Sequence, residues 1–201
     1  MSDARVVLVA TGGANIASLQ YALDRLGVAA PVTADAASIR AASHVILPGV
    51  GAAGNAMEWL RQGGLVEVVR ELRQPVLGIC LGMQLLFDTS AEGDTACLGA
   101  IPGAASRFTC GPGLPVPHMG WNSLDILADS PLLAGIAPGE HAYFVHSYAL
   151  PVSAATTAST DYGGPFSASV SWHNFHGTQF HPERSAGVGA RVLSNFLKLC
   201  S

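Results

Sequence analysis

Two short stretches carry residues that could do covalent chemistry together. In Gly78-Ile79-Cys80-Leu81-Gly82 an apolar run delivers a cysteine between glycines, then passes at once into the helix-favouring Met83-Gln84-Leu85-Leu86. This is the pattern of a buried strand meeting a tight strand-to-helix turn, the cysteine form of the Gly-x-Ser-x-Gly nucleophile elbow. At such a turn Cys80 lies at a helix N-terminus, whose dipole and free N–H groups favour the thiolate. The N–H of Leu81 would point to where a negative oxygen forms on an attacked carbonyl. A competing reading is a small buried thiol that merely ends a core strand. Far downstream, His181-Pro182-Glu183 places an imidazole and a carboxylate two residues apart at a strand end. Period-two geometry there turns both side chains to one face. The carboxylate can fix the imidazole tautomer and stabilise the imidazolium, leaving the other ring nitrogen to take a thiol proton. Nucleophile, base and orienter thus follow in the order Cys80, His181, Glu183, and the pair downstream tips the reading of Cys80 toward a nucleophile.

The elements that must position these groups are legible in outline. Val6–Ala10 reads as a buried first strand, followed by a Gly-Gly turn and an amphipathic helix from Ile16 that ends near Gly27. The Gly12-Gly13 turn lacks the G-x-G-x-x-G spacing and has no P-loop lysine, so a tight loop at a sheet edge outweighs phosphate binding. A second strand is expected near residues 28–33, a short helix near 36–42, and a third strand at His44–Leu47. That strand runs into Pro48-Gly49-Val50-Gly51-Ala52, where glycines allow the backbone to approach a ligand closely. In elbow enzymes a second oxyanion donor comes from the loop after the third strand, where this loop falls. Residues 55–72 read as helix broken at Gly63-Gly64. The strand–helix alternation up to Phe87 argues for a parallel α/β sheet with right-handed crossovers.

Beyond Phe87 the texture changes to short strand-like pieces, at 96–108, 116–127 and 142–150, punctuated by Gly and Pro. These are expected to extend the sheet antiparallel. Residues 167–172 and 175–180 read as a hairpin turning at His173-Asn174. Ser185 is the expected N-cap of a last helix whose Val188, Val192, Leu193, Phe196 and Leu197 form one apolar stripe.

Composition narrows the function. The 201 residues are 49% apolar and only 12% charged, with a net charge of −4. That suits one domain, residues 1–201, with a sheet covered on both faces. No basic cluster offers itself to nucleic acid, and no signal-length or membrane-length apolar segment stands out. Cys80, Cys97, Cys110 and Cys200 lack paired metal or disulfide spacing. Free thiols in a reducing cytoplasm, with no metal, are the expectation.

The motifs carry a family resemblance. Gly78-Ile79-Cys80-Leu81-Gly82-Met83-Gln84 with Phe180-His181-Pro182-Glu183 resembles the class I (triad) glutamine amidotransferases. Four further runs resemble, within that family, the glutaminase subunits of imidazole glycerol phosphate synthase. They are Pro48-Gly49-Val50-Gly51, Pro117-His118-Met119-Gly120-Trp121-Asn122, Tyr143-Phe144-Val145-His146-Ser147-Tyr148 and Gly13-Ala14-Asn15-Ile16-Ala17-Ser18. The triad alone does not separate this branch from other amidotransferases; the runs at 117–122 and 143–148 do. The resemblance implies a flavodoxin-like fold with a mostly parallel central sheet, flanking helices and an antiparallel extension.

The resemblance also implies hydrolysis of L-glutamine without a cofactor. Cys80 would form a thioester, and Leu81 with Val50 and Gly51 would hold the oxyanion. Gly49, Gln84, Glu92, His146, Ser147 and Tyr148 would bind substrate. Glu92 makes separate sense as the anion opposite an α-ammonium, though a solvated loop charge is an equal reading. The implied partner is a (β/α)8-barrel cyclase subunit that receives ammonia in a heterodimer, with Asn15, Trp121, Tyr143 and Arg184 on the shared face. Two positions depart from the family pattern: Ala10 stands where an acid is frequent, and Arg184 where lysine is usual, a substitution that matters at a tight contact.

Overall fold

A computed structural model describes residues 5–12, 16–109, 111 and 113–200. Its first half alternates as the apolar runs require: β1 (Val6–Val9), α1 (Ile16–Asp24), β2 (Val32–Thr33), α2 (Ala36–Ala41), β3 (His44–Gly49), α3 (Ala53–Gln62), α4 (Leu65–Arg70), β4 (Val76–Cys80) and α5 (Leu81–Leu85). The break between α3 and α4 falls at Gly63-Gly64, where Gly64 adopts φ 64°. The second half holds β5 (Thr89–Ser90), β6 (Thr95–Ala96), β7 (Ala104–Arg107), β8 (His118–Ser123), β9 (Asp125–Ile126), β10 (His141–His146), β11 (Tyr148–Ala149), β12 (Thr156–Asp161), β13 (Pro165–Trp172), β14 (Phe175–Thr178) and α6 (Ala186–Phe196).

The main sheet runs β2-β1-β3-β4-β14-β13-β12-β9. The strands from β2 to β14 are parallel, and β13, β12 and β9 add antiparallel. The parallel part has the 2-1-3-4 order of flavodoxin-like folds, with β14 in the fifth place, so the expected fold class is borne out. Alternate residues of one strand feed opposite faces. Val7 and Val9 pack with α2, α3 and α4, while Val6 and Leu8 pack with α1 and α6. Strands buried on both faces read as continuous apolar runs.

Several local expectations need correction. The second strand is only Val32–Thr33, because the residues before it lie at an edge with one neighbour. The pieces between 96 and 150 do not extend the main sheet, apart from β9. Instead β8 and β10 form a two-stranded ribbon, and β11-β7-β5-β6 form a separate small sheet. The hairpin between β13 and β14 turns at His173-Asn174, with Trp172 opposite Phe175 and His173 at φ 52°.

Candidate active site

The elbow is built from backbone. β4 ends on Cys80, and α5 begins at the next residue. Cys80 itself adopts φ 53° and ψ −111°, a conformation that costs an L-residue about 1–3 kcal/mol and persists only where neighbours over-determine it. Those neighbours are glycines at van der Waals limits. A Cβ on Gly78 would lie 2.7 Å from both Gly82 O and Met83 Cα; one on Gly82 would collide with Leu47 O, and one on Gly49 with Gly82 N. β3, β4 and α5 therefore meet backbone to backbone. Because α5 has only five residues, its dipole is short, and the thiol's environment must come chiefly from side chains.

The candidate base arrives differently. β14 ends at Thr178, and Pro182–Arg184 form a 3₁₀ turn, so His181 and Glu183 do not share a strand face as the spacing predicts. The tight turn brings them together instead: His181 Nδ1 meets Glu183 Oε1 at 2.9 Å, with both side chains buried. Ser185 stands at the N-cap position of α6 but makes no capping bond. Its hydroxyl donates to His181 O at 2.7 Å and accepts from the Tyr143 N–H at 2.9 Å, while His181 N–H donates to Tyr143 O at 3.0 Å. The turn carrying the base is thus pinned to β10. Sequence reasoning missed this role because a serine before a helix reads as a cap.

Glu183 takes Nδ1 of His181, and Cys80 lies near enough to the ring to raise its affinity for a proton. Burial alone would lower the His181 pKa. The hydrogen bonds and charges of Cys80 and Glu183 outweigh it and push the value up to about 10. At neutral pH the ring therefore holds its proton, and the carboxylate on Nδ1 orients and stabilises that imidazolium. The Cys80 thiol also lies 3.8 Å from Val145 O.

A pocket of about 350 Å³ opens over these groups. Cys80, Leu81 and His181 line it, with Val50 and Gly51 from the loop after β3. Gln84, Glu92, His146, Ser147 and Tyr148 line it as well. Gly49 does not line it; that residue ends β3 and is given over to close packing on the elbow. Gln84 spends its amide nitrogen on Tyr148 O and Gln179 Oε1. Glu92 accepts from Ala53 N–H at 2.8 Å, which fixes its carboxylate at the pocket rather than in a solvated loop.

Three of the four residues expected on a partner face cluster beside the pocket. Trp121 and Tyr143 are cross-strand neighbours in the β8–β10 ribbon with ring centroids 6.0 Å apart, and the Arg184 guanidinium lies 4.4 Å over the Tyr143 ring. Trp121 is 53% exposed, and Met119, two residues before it on the same face, is 63% exposed. Sequence reasoning passed over Met119. Asn15 lies outside the described residues. Among those residues no group of three or more His, Cys, Asp or Glu could hold a metal, and no helix is long and apolar enough to cross a membrane.

Comparison with known proteins agrees with this geometry. The profile of the family "Glutamine amidotransferase class-I" matches residues 10–200. The "Imidazole glycerol phosphate synthase subunit HisH" of Xanthomonas axonopodis pv. citri is 56% identical over 194 residues, covering 96% of this chain and 97% of that protein. The protein of the same name from Xylella fastidiosa (strain Temecula1) is 53% identical over the same shares. Among solved structures, a glutamine amidotransferase superposes with a TM-score of 0.73 at 20% identity, covering 96% of this chain and 97% of the other. The glutaminase domain of Trypanosoma brucei CTPS with bound acivicin gives 0.67 at 16% identity, covering 98% of each. At those identities the structures speak for the fold, whereas the sequence relatives and the family profile carry the assignment: the chain belongs to the class-I glutamine amidotransferase family, among the HisH subunits of imidazole glycerol phosphate synthase.

Proposed function

We propose that this chain is a single glutaminase domain, residues 1–201, which hydrolyses L-glutamine with Cys80, His181 and Glu183 and passes the ammonia to a cyclase partner. His181 takes the Cys80 thiol proton, and the thiolate attacks the side-chain amide carbon of glutamine. The resulting oxyanion is held by the N–H of Leu81 and by an N–H of the Val50-Gly51 loop, each such donor lowering the barrier by about 3 kcal/mol. Collapse of this intermediate breaks the C–N bond as His181 returns the proton to nitrogen, leaving ammonia and a thioester on Cys80. Water, deprotonated by His181, then attacks the thioester, expels the thiolate and yields glutamate. Glu183 keeps His181 in the working tautomer throughout. Glu92, Gln84 and the segment His146–Tyr148 receive the amino-acid end of the substrate.

The observation that carries the reading is the buried His181–Glu183 contact of 2.9 Å, with His181 lining one pocket with a cysteine on a strained elbow. The partner is a (β/α)8-barrel subunit in a cytoplasmic heterodimer, docking on Trp121, Tyr143 and Arg184, with Asn15 expected on the same face. It would combine ammonia with a phosphoribulosyl-formimino-carboxamide ribotide to give imidazole glycerol phosphate and aminoimidazole carboxamide ribotide. In the reconstituted pair, Cys80→Ala should abolish glutamine-dependent synthesis and spare synthesis from added ammonia. Loss of both would assign Cys80 a structural role and refute the proposal.

A further inference from the structure

Gln179 lies two residues before His181 and is fully buried. Its Nε2 stands 3.6 Å from Cys80 Sγ, and its Oε1 accepts from Gln84 Nε2 at 2.9 Å. Which end of each amide faces which neighbour follows from the chemistry of the chain they form. The Tyr148 carbonyl can only accept, so Gln84 must turn its nitrogen toward it, at 2.8 Å. The second N–H of that nitrogen then points at Gln179, which must answer with oxygen. That leaves the Gln179 nitrogen for the sulfur. A flipped Gln179 would set nitrogen against nitrogen and oxygen against sulfur. The Tyr148 carbonyl is fixed from its other side by His146 Nδ1 at 2.8 Å, and His146 Nε2 in turn meets His118 Nδ1 at 3.2 Å. Burial holds His146 neutral, its pKa lowered to about 3, so one nitrogen donates to Tyr148 and the other accepts from His118.

Resting on the function proposed above, we infer that Gln179 is an electrostatic donor to the Cys80 sulfur, aimed by Gln84 and the Tyr148 carbonyl so that it favours the thiolate. A thiol sulfur is a weak acceptor and a thiolate a strong one, so a fixed N–H there stabilises the charged form preferentially. The benefit falls twice in the cycle: when the thiolate forms, and when the thiolate is expelled from the thioester. The Val145 carbonyl, 3.8 Å from the same sulfur, opposes it by accepting the thiol proton. The sulfur therefore sits between a contact that suits the thiol and one that suits the thiolate. Other ionisable groups around it are His181, His146, Glu92, Arg184 and Tyr148, and the variants below leave all of them in place.

The test reads the sulfur rather than turnover alone. Cys80 alkylation by iodoacetamide is followed across a pH series by peptide mass spectrometry on the whole chain, with Cys97 and Cys200 as internal controls. Gln179→Met keeps the volume and removes the donor. Its alkylation midpoint should rise by about one pH unit, the size of one charge-assisted hydrogen bond, and kcat for glutamine should fall about tenfold with KM unchanged. Gln179→Glu, which puts negative charge against the sulfur, should move the midpoint further the same way. Gln84→Met frees the Gln179 amide to turn and should give a smaller upward shift; it carries the test if Gln179→Met does not fold. An unchanged midpoint in folded Gln179→Met, or in Gln84→Met where that variant carries the test, would overturn the inference. A wild-type chain that shows no glutaminase with its partner would instead sink the function proposed above, and the alkylation midpoints would still be readable.

Discussion

The proposed nucleophile and the proposed base reach one pocket from halves of the molecule built on different terms. Cys80 comes from the parallel half, where β3, β4 and α5 meet through Gly49, Gly78 and Gly82 with no room for a Cβ. His181 comes from the C-terminal half, after β14. Backbone contacts hold its turn too, His181 N–H to Tyr143 O and Gly189 of α6 close on Pro182 O. Side chains add to them: Glu183 on the ring and Ser185 between the His181 and Tyr143 backbones. Backbone packing gives a position that fails all at once. Side-chain bonds give one that can be loosened a bond at a time. An acid–base group must hand protons in two directions within one cycle, so adjustable support suits the base and rigid support suits the attacking atom.

The contrast is broken most directly at its two ends. Glu183→Gln should lower kcat by about 10⁴-fold through loss of the carboxylate that orients His181, with a smaller loss of stability from the broken His181–Glu183 pair, because the turn keeps its backbone bonds. Steady-state glutaminase assays beside a melting curve measure both. Gly82→Ala should do the reverse: its Cβ is driven into Leu47 O, so stability should fall by at least about 3 kcal/mol in a denaturant titration, and activity should follow stability. A stable Gly82→Ala enzyme would show that the elbow tolerates movement and that the nucleophile is held no more tightly than the base.

The same contrast explains what could be read from the chain beforehand. The parallel half was legible because its rules are local: apolar runs for strands, Gly63-Gly64 for a helix break, glycines around Cys80 for the elbow. The site's membership was legible through Gly-x-Cys-x-Gly and His-Pro-Glu, which are short motifs. What escaped reading depends on partners distant in sequence. Ser185 reads as a cap until Tyr143 is known to lie against it, and Gln179 reads as a buried strand residue until Gln84 and Cys80 flank it. The turn at Pro182 also escaped, since a proline marks a strand end as readily as it opens a helical turn. The β8–β10 ribbon was misplaced for a related reason: strand propensity does not say which sheet a strand joins.

Acid should separate the halves further. Burial lowers the pKa of His146 to about 3 and that of His176 to about 4, both in the C-terminal half of the chain. Each is neutral in the folded chain and takes a proton on unfolding, so the stability is full above the unfolded value of 6.5 and is lost as pH falls toward the folded values. At about pH 5 the loss is about 2 kcal/mol for each histidine. His181, raised to about 10, acts in the opposite sense: its contribution is intact below 6.5 and disappears as pH rises through about 10. Chemical denaturation at several pH values measures the slope, and His176→Gln should flatten the acid limb. A limb that does not change in that variant would place the acid sensitivity elsewhere, for instance at His44 in β3, whose pKa burial also lowers.

Ser185→Ala is the smallest change and the most discriminating. It removes a donor to His181 O and an acceptor for Tyr143 N–H, yet His181 N–H still bonds Tyr143 O. One tether of the base turn remains, so the expected cost is about 1.5 kcal/mol of stability. The His181–Glu183 contact should survive, and kcat should fall only several-fold, since a small misplacement of the base is taxed less than its loss. Measured beside Gly82→Ala, the variant asks whether the two halves really differ in kind. If it collapses the fold as the glycine change does, then the base is set by all-or-none packing too, and adjustable support for proton transfer is not what the C-terminal half provides.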